Sequence, residues 1–371
     1  MSQIDRVTIH RRTIPLKRPF VTAVRTAYVV EALLVEVRDS DGRSGWGEAP
    51  TSWRVTGESI ESVTAAVLGP FRESIEGLST ADPEVSSVAL ERAVVRNSSA
   101  RMALDCALYD LAAQAAGVPL FKYLGGNAAE VRTDMTLSAA ITAAEIEALL
   151  STAVEHANAG FGTLKIKVGA GGDDLKILIE VRNAVGVDVR LRVDANQGWS
   201  PQQAVQIIGS LEDAGVGVEM IEQPVGRDDI DGLAFVTARV QTPIMADEAV
   251  WTRRDLREII RSHSADMINI KLAKTGGLRE ALELASVARE NDMGAVIGCM
   301  SESHVGIAAA AALASAIDGE SRGELRPHDL DGGLWLTQSP VDGGVAYEGD
   351  RVLLAETSGT GIIGLTASTA S

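Results

Sequence analysis

A chain of 371 residues, 46% hydrophobic and 23% charged, is long enough for two hydrophobic cores and has the balance of a globular protein. Its formal net charge of -17 disfavours any nonspecific grip on nucleic acid or an anionic membrane, both of which need a basic face that releases counterions, so a small molecule is the expected partner. Cys106 and Cys299 stand at no disulfide or zinc spacing, Met1 to Arg6 lacks a signal segment, and the Ala-rich stretch Val305 to Ile317 is too short to span a bilayer; the expected location is the cytoplasm.

Tyr28 to Arg38 and Ser44 to Glu48 are β-rich runs separated by Asp39-Ser40-Asp41-Gly42-Arg43, whose Asp-Gly pair signals a hairpin. From Ser99, Met102, Ala103, Cys106, Ala107, Tyr109, Asp110 and Ala113 recur at helical spacing, with Ser98 or Ser99 expected to cap the start and Gly117, then Pro119, to end the helix. An α+β domain over residues 1–125 is expected.

From about Val131 short β-branched runs alternate with helical stretches, the pattern of parallel βα units. Eight runs lie near Thr133–Ser138, Leu164–Val168, Arg190–Asp194, Glu219–Glu222, Pro243–Asp247, Met267–Lys271, Ala295–Gly298 and Gly323–Arg326. Lys167, Asp194, Glu222, Asp247, Lys271 and Gly298 follow one another at 27, 28, 25, 24 and 27 residues, a period that fits a TIM-type barrel better than an open sheet. The barrel is expected over 126–328. Residues 329–371 are expected to return to the first domain.

Catalytic groups of such barrels gather at the C-terminal strand ends. Strands three, four and five end in Asp194, Glu222 and Asp247, and three converging carboxylates repel one another unless a hard cation joins them. These three are the expected ligands of one magnesium ion, with manganese as an alternative, and Asn196, Glu248 and Asn269 beside them are expected to support the site. Lys167 on strand two and Lys271 on strand six stand four strands apart, across the mouth. Strand alternation points Lys165 the same way as Lys167, whose pKa its charge would lower. A cation on a substrate carboxylate acidifies the α-proton by neutralising the charge that develops, so one lysine can remove a proton and the other return it to the opposite face. Racemisation or epimerisation follows; loss of a β-leaving group stays open on the same equipment.

Lys165-x-Lys167, Asp194-Ala195-Asn196-Gln197-Gly198-Trp199, Glu222-Gln223-Pro224, Ala246-Asp247-Glu248 and Asn269-Ile270-Lys271, together with Gly45-Trp46-Gly47-Glu48-Ala49-Pro50, resemble the muconate-lactonising branch of the enolase superfamily over nearly the whole chain. The resemblance implies an α/β fold, a modified TIM barrel (β/α)7β under an N-terminal α+β capping domain whose loops choose the substrate. His328-Asp329-Leu330-Asp331 is similar to the Asp-x-Asp signature of dipeptide epimerases, in which Asp329 and Asp331 would hold the substrate ammonium group. Thr136 and Cys299 sit where the resemblance implies contacts to the substrate backbone. Arg18 to Thr26 resembles the specificity loop of epimerases acting on Ala-Glu dipeptides, with Arg25 meeting the acidic side chain. Trp53 and Arg54 in the second capping loop are bulkier than that small substrate requires.

The reading is an epimerase of an L-Ala-X dipeptide, X most readily Glu. The alternative is a lyase such as a muconate cycloisomerase or an o-succinylbenzoate synthase, from which Asp329 and Asp331 discriminate because neither lyase substrate carries an ammonium. A scaffold without catalysis would leave this ionisable set without purpose. Gly169-Ala170-Gly171-Gly172 lacks nucleotide-binding spacing and is expected to form a flexible turn, and His10, His156, His263, His304 and His328 form no hydrolytic triad or metal spacing. A homo-oligomer is expected from the apolar surface such barrels carry.

Overall fold

A computed structural model describes residues 2–21, 26–319 and 326–367. Strand β1 (Ile4–Val21) pairs antiparallel with β2 (Thr26–Asp39), and β2 with β3 (Ser44–Ala49). The Asp39–Arg43 turn is closed by Asp39 Oδ1, which accepts from Asp41 N at 3.0 Å and Arg43 N at 2.9 Å. Sequence reasoning passed over β1, where runs of Arg and Lys and two prolines obscure the alternation; its register shifts between Pro15 and Phe20, where prolines withdraw donors from the ladder.

Leu33, Val35 and Val37 of β2 pack on the helix Ser98–Ala116, whose Ala103, Leu104, Ala107 and Leu111 complete one apolar core. Gly45 and Gly47 permit this approach, since a side chain at either would strike the carbonyl of Ala107 or Ala103. The expected serine cap of this helix is corrected: Asn97 precedes it without a side-chain bond, and the carboxylate of Glu58 accepts from Ser99 N at 2.9 Å and Ala100 N at 3.1 Å. A carboxylate satisfies two orphan donors and meets the positive end of the helix dipole. Gly117 does end the helix, in the left-handed conformation.

After β4 (Glu130–Arg132), seven parallel strands form one sheet in sequence order: β5 (Met135–Leu137), β6 (Thr163–Lys167), β7 (Arg190–Asp194), β8 (Val218–Glu222), β9 (Ile244–Ala246), β10 (Met267–Lys271) and β11 (Gly294–Gly298). Most of the run read as an eighth strand, Gly323–Arg326, lies outside the described residues. Just beyond it, His328 bridges Thr133 and Asp329 bridges Gly298, in parallel, so this segment spans both edges of the sheet. Backbone bonds from Asp134 N to His328 O at 2.8 Å and from Cys299 N to Asp329 O at 3.0 Å close the barrel.

Alternation of period two sorts the strand residues. Leu164, Ile166, Ile268 and Ile270 pack outward against the helices, in one cluster with Ile177, Val181, Leu256 and Leu284. The intervening Lys165, Lys167, Asn269 and Lys271 are buried, and Met220, Met245, Met267 and Val296 form a separate apolar cluster. Several of the helices start on reciprocal capping boxes, as at Thr142 with Glu145 and Thr252 with Asp255.

The C-terminal segment touches both bodies. Val341 and Leu336 join Ile14, Val30 and Trp46 in an apolar cluster, while β12 (Val341–Gly343), β13 (Ala346–Glu348), β14 (Arg351–Leu353) and β15 (Ile362–Leu365) follow, with β14 pairing to β4. Among the described residues no helix is long and apolar enough to cross a membrane.

Candidate active site

The lysines and acids expected at the strand ends meet at one end of the barrel, all at most 8% exposed. Lys165 Nζ lies 2.7 Å from Glu222 Oε2, 2.7 Å from Asp329 Oδ2 and 3.4 Å from Asp194 Oδ2. Lys167 Nζ donates to Asp194 Oδ2 at 2.5 Å, and on the far side Lys271 Nζ donates to Asp247 Oδ2 at 2.8 Å, with Glu222 Oε1 3.8 Å away. Asn269 Nδ2 donates to Glu222 Oε1 at 2.8 Å; Asn196 donates its backbone N–H to Asp194 Oδ1 at 2.8 Å and its amide to Glu248 Oε1 at 3.4 Å.

Charge balance governs this interior. Burial disfavours the ammonium of Lys165, yet Asp329, Glu222 and Asp194 together hold its pKa well above the ordinary lysine value. Lys271 is raised in the same way, against burial, by Asp247 and Glu222. Burial, together with Asp247 and Asp194, pushes Glu248 up to about 7.

The donor set is all oxygen and suits a hard divalent ion. Glu222 Oε2 and Asp247 Oδ1 face lysine ammonium groups at 2.7 and 2.6 Å without hydrogen-bond geometry, and Glu248 Oε2 and Asn196 Oδ1 are buried with no hydrogen-bond partner. A second carboxylate group adjoins the first. Asp134, Asp329 and Asp331 each place an oxygen within 4.8 Å of the others, the one such three-acid group among the described residues. Lys165 borders both groups, and Arg192, 2.9 Å from Asp134 Oδ2, partly balances the second.

Asp331 Oδ2 accepts from Thr136 N at 2.6 Å and Trp335 Nε1 at 3.0 Å, while Oδ1 is buried and unpartnered. Burial and the neighbouring Asp329 raise its carboxyl to about 7. Asp329 is held down at about 2: burial opposes its charge, but Lys165 and Lys271 outweigh burial. Thr136 therefore meets this group through its backbone. Cys299, a buried free thiol, lies beside Asp329 and Gly332, and burial raises its pKa well above the ordinary value. Arg25 lies outside the described residues. Phe20 of β1 stacks on Trp335, ring centroids 4.3 Å apart, which carries the capping strand to the ring that binds Asp331. Trp53 is 73% exposed.

Sequence reasoning missed several residues. Lys274, fully buried one helical turn beyond Lys271, pairs with Asp247 Oδ1 at 2.6 Å and donates to Asn269 O at 2.9 Å. Gln223 Oε1 accepts from Asp247 N at 3.0 Å and Ala249 N at 3.1 Å, fixing the turn after β9. Glu48 of β3 reaches the start of the helix His304–Gly319, accepting from Ser303 Oγ at 2.6 Å and Gly306 N at 3.0 Å. Lys274 carried a signal, a second lysine within four residues of a strand end; the partners of Glu48 and Gln223 are set by tertiary contacts alone. At the start of the glycine-rich turn Gly169 N donates to the carboxylate of Asp174, which also takes Trp199 Nε1 at 2.8 Å.

A parallel barrel with acids and lysines on successive strand ends, joined to an α+β cap, defines an enzyme of the enolase type. Residues 4–125 match the family model described as mandelate racemase / muconate lactonizing enzyme, N-terminal domain, and residues 148–363 match the enolase C-terminal domain-like model. The chain belongs to the mandelate racemase / muconate lactonizing enzyme family of the enolase superfamily. It is 39% identical to the L-Ala-D/L-Glu epimerase of Bacillus subtilis over 98% of this chain and 97% of that one, and the substrate-liganded structure of that epimerase superposes with a TM-score of 0.93, covering 98% of this chain and 100% of that chain. The hydrophobic dipeptide epimerase of Enterococcus faecalis is 38% identical over 97% of this chain and 99% of that one. A dipeptide epimerase structure from that organism, complexed with Mg and L-Leu-L-Tyr, gives a TM-score of 0.91 at 37% identity, covering 97% of this chain and 99% of that chain. A dipeptide epimerase from Cytophaga hutchinsonii, complexed with Mg and D-Ala-L-Val, gives 0.91 at 30% identity, covering 99% of this chain and 97% of that chain. These relatives are isomerases acting on amino-acid derivatives.

Proposed function

We propose that the protein is a magnesium-dependent dipeptide epimerase that inverts the α-carbon of the C-terminal residue of an L-Ala-X dipeptide. The observation that carries this reading is the pairing of Lys167 with Asp194 and of Lys271 with Asp247, from strands four apart, with Glu222 between the two acids. Asp194, Glu222 and Asp247 would hold the ion, which when bound neutralises charge developing on the substrate carboxylate. Lys167 and Lys271 flank the α-carbon; one takes its proton and the other, protonated, gives one to the opposite face. Lys165 stays charged and screens Glu222, Asp194 and Asp329 from one another. Asn196, Glu248 and Asn269 orient the acids.

Asp329 and Asp331 receive the ammonium group of the dipeptide, with Thr136 and Cys299 along its backbone. A muconate or succinylbenzoate skeleton would leave Asp331 Oδ1 without a donor, which disfavours the lyase reading. Arg25 in the capping segment favours Glu as X. We further propose a division into a capping domain at 1–125, a barrel at 126–328 and a returning segment at 329–371, a cytoplasmic location for the two free thiols, and self-association of the enzyme.

A library of L-Ala-X dipeptides incubated with enzyme and magnesium in D2O tests the reading by mass spectrometry. One deuterium is expected in residue X, most rapidly for Glu; no incorporation across the library removes the epimerase reading.

A further inference from the structure

The turn that follows β10 is held from outside the barrel. Lys271 is the flanking residue of a single helical turn, Leu272–Thr275, which ends at Gly276 and Gly277 with φ of +80° and +126°. A side chain at Gly276 would strike Arg101, and one at Gly277 would strike Asp105, both on the helix Ser98–Ala116.

Arg101 donates from Nη2 to Thr275 O at 2.8 Å and from Nε to Gly276 O at 3.2 Å, so one guanidinium takes two carbonyls at the end of the turn. Asp105, 2% exposed, accepts from Leu278 N at 2.6 Å and Arg279 N at 3.4 Å, the first donors of the helix Leu278–Glu290. Ser87 Oγ steadies it from a second cap helix, Pro83–Ala93. Inside the same turn the Lys274 side chain pairs with Asp247, so one short piece of chain is bound both by the cap helix and by a candidate metal ligand. Among the described residues no hydrogen bond joins the helix Ser98–Ala116 to β6, the strand that carries Lys165 and Lys167.

We propose that Arg101 and Asp105 are positioning residues for Lys271: a cap helix sets where one of the two acid–base lysines stands, while the barrel alone sets the other. The inference rests on the epimerase reading of Lys271. It turns an asymmetry of packing into an asymmetry of chemistry, because an amine displaced by a fraction of its contact distance loses proton transfer on one face only.

The test uses the full-length enzyme with magnesium in D2O and follows initial α-proton exchange from L-Ala-L-Glu and from L-Ala-D-Glu separately. Wild type exchanges both. In Arg101→Leu, exchange of one isomer falls on the order of tenfold to a hundredfold while the other stays within about twofold. Arg101→Lys, which keeps one of the two carbonyl contacts, recovers part of the loss. Equal loss for both isomers, or no loss, overturns the proposal. Amide hydrogen exchange of the substrate-free protein supplies an arm independent of activity. Residues 269–278 lose protection by about tenfold in Arg101→Leu and in Asp105→Asn while residues 163–167 keep theirs; unchanged protection at 269–278 overturns the clamp. A wild type inert toward every dipeptide removes the epimerase reading and leaves the second arm to judge the clamp.

Discussion

Lys165 Nζ lies 2.7 Å from Glu222 Oε2 and 2.7 Å from Asp329 Oδ2, so one buried ammonium joins the acids proposed to hold a cation to the acids proposed to hold the substrate amine. Removing it leaves several carboxylates in the interior without a counter-charge. Lys165→Met is therefore expected to destabilise the fold by about 3–5 kcal/mol, the cost of breaking a buried pair from one side. Urea denaturation checks this, and a change below about 1 kcal/mol contradicts the assigned balance.

The two flanking lysines are not equivalent to Lys165. Lys167→Ala and Lys271→Ala each remove one face of the proton transfer, so net epimerisation is expected to fall by about 10²–10⁴-fold in both. Exchange without inversion is expected to survive from the isomer whose proton faces the remaining lysine. Polarimetry combined with NMR of the recovered dipeptide separates the two outcomes.

Asp247 is enclosed by Lys271 and Lys274, and Gln223 fixes its backbone. A bound ion stabilises the folded state by about 2.7 kcal/mol at a concentration 100 times its dissociation constant. Magnesium is expected to raise the melting temperature of the wild type, EDTA to lower it, and Asp247→Asn to abolish most of the difference. Differential scanning calorimetry checks this; a melting temperature indifferent to both additives contradicts it.

Asp331 supplies a pH dependence. Burial and Asp329 raise its carboxyl to about 7, so below that pH it is protonated and neutral and above it carries the charge an ammonium requires. The kcat/KM for an L-Ala-X dipeptide is expected to rise with pH through about 7 from this group, chiefly through KM. In Asp331→Asn that inflection is expected to vanish from the pH profile together with most of the affinity.

Strand ends were legible because period-two alternation inside a 24- to 28-residue repeat leaves few alternatives for where Lys165, Lys167, Asp194, Glu222, Asp247 and Lys271 can point. The long first strand was not, since arginines and prolines mask its pattern. The helix at Ser98 was read correctly in extent but not in its cap, because Glu58 is forty-odd residues away in the chain and only packing brings it there. The same limit hid Arg101, Asp105 and Glu48: each binds backbone groups, and no side-chain pattern in a sequence records which carbonyl or amide will be left unpaired.

Among the described residues the three acids whose oxygens all lie within 4.8 Å of one another are Asp134, Asp329 and Asp331, whereas the proposed ligands of the ion are Asp194, Glu222 and Asp247. A crystal structure with magnesium and L-Ala-L-Glu decides which set of acids takes the ion. The ion is expected about 2.0–2.1 Å from oxygens of Asp194, Glu222 and Asp247, the dipeptide ammonium at Asp329 and Asp331, and the glutamyl α-carbon between Lys167 Nζ and Lys271 Nζ. An ion seated among Asp134, Asp329 and Asp331, or both lysines on one face of that carbon, would contradict it.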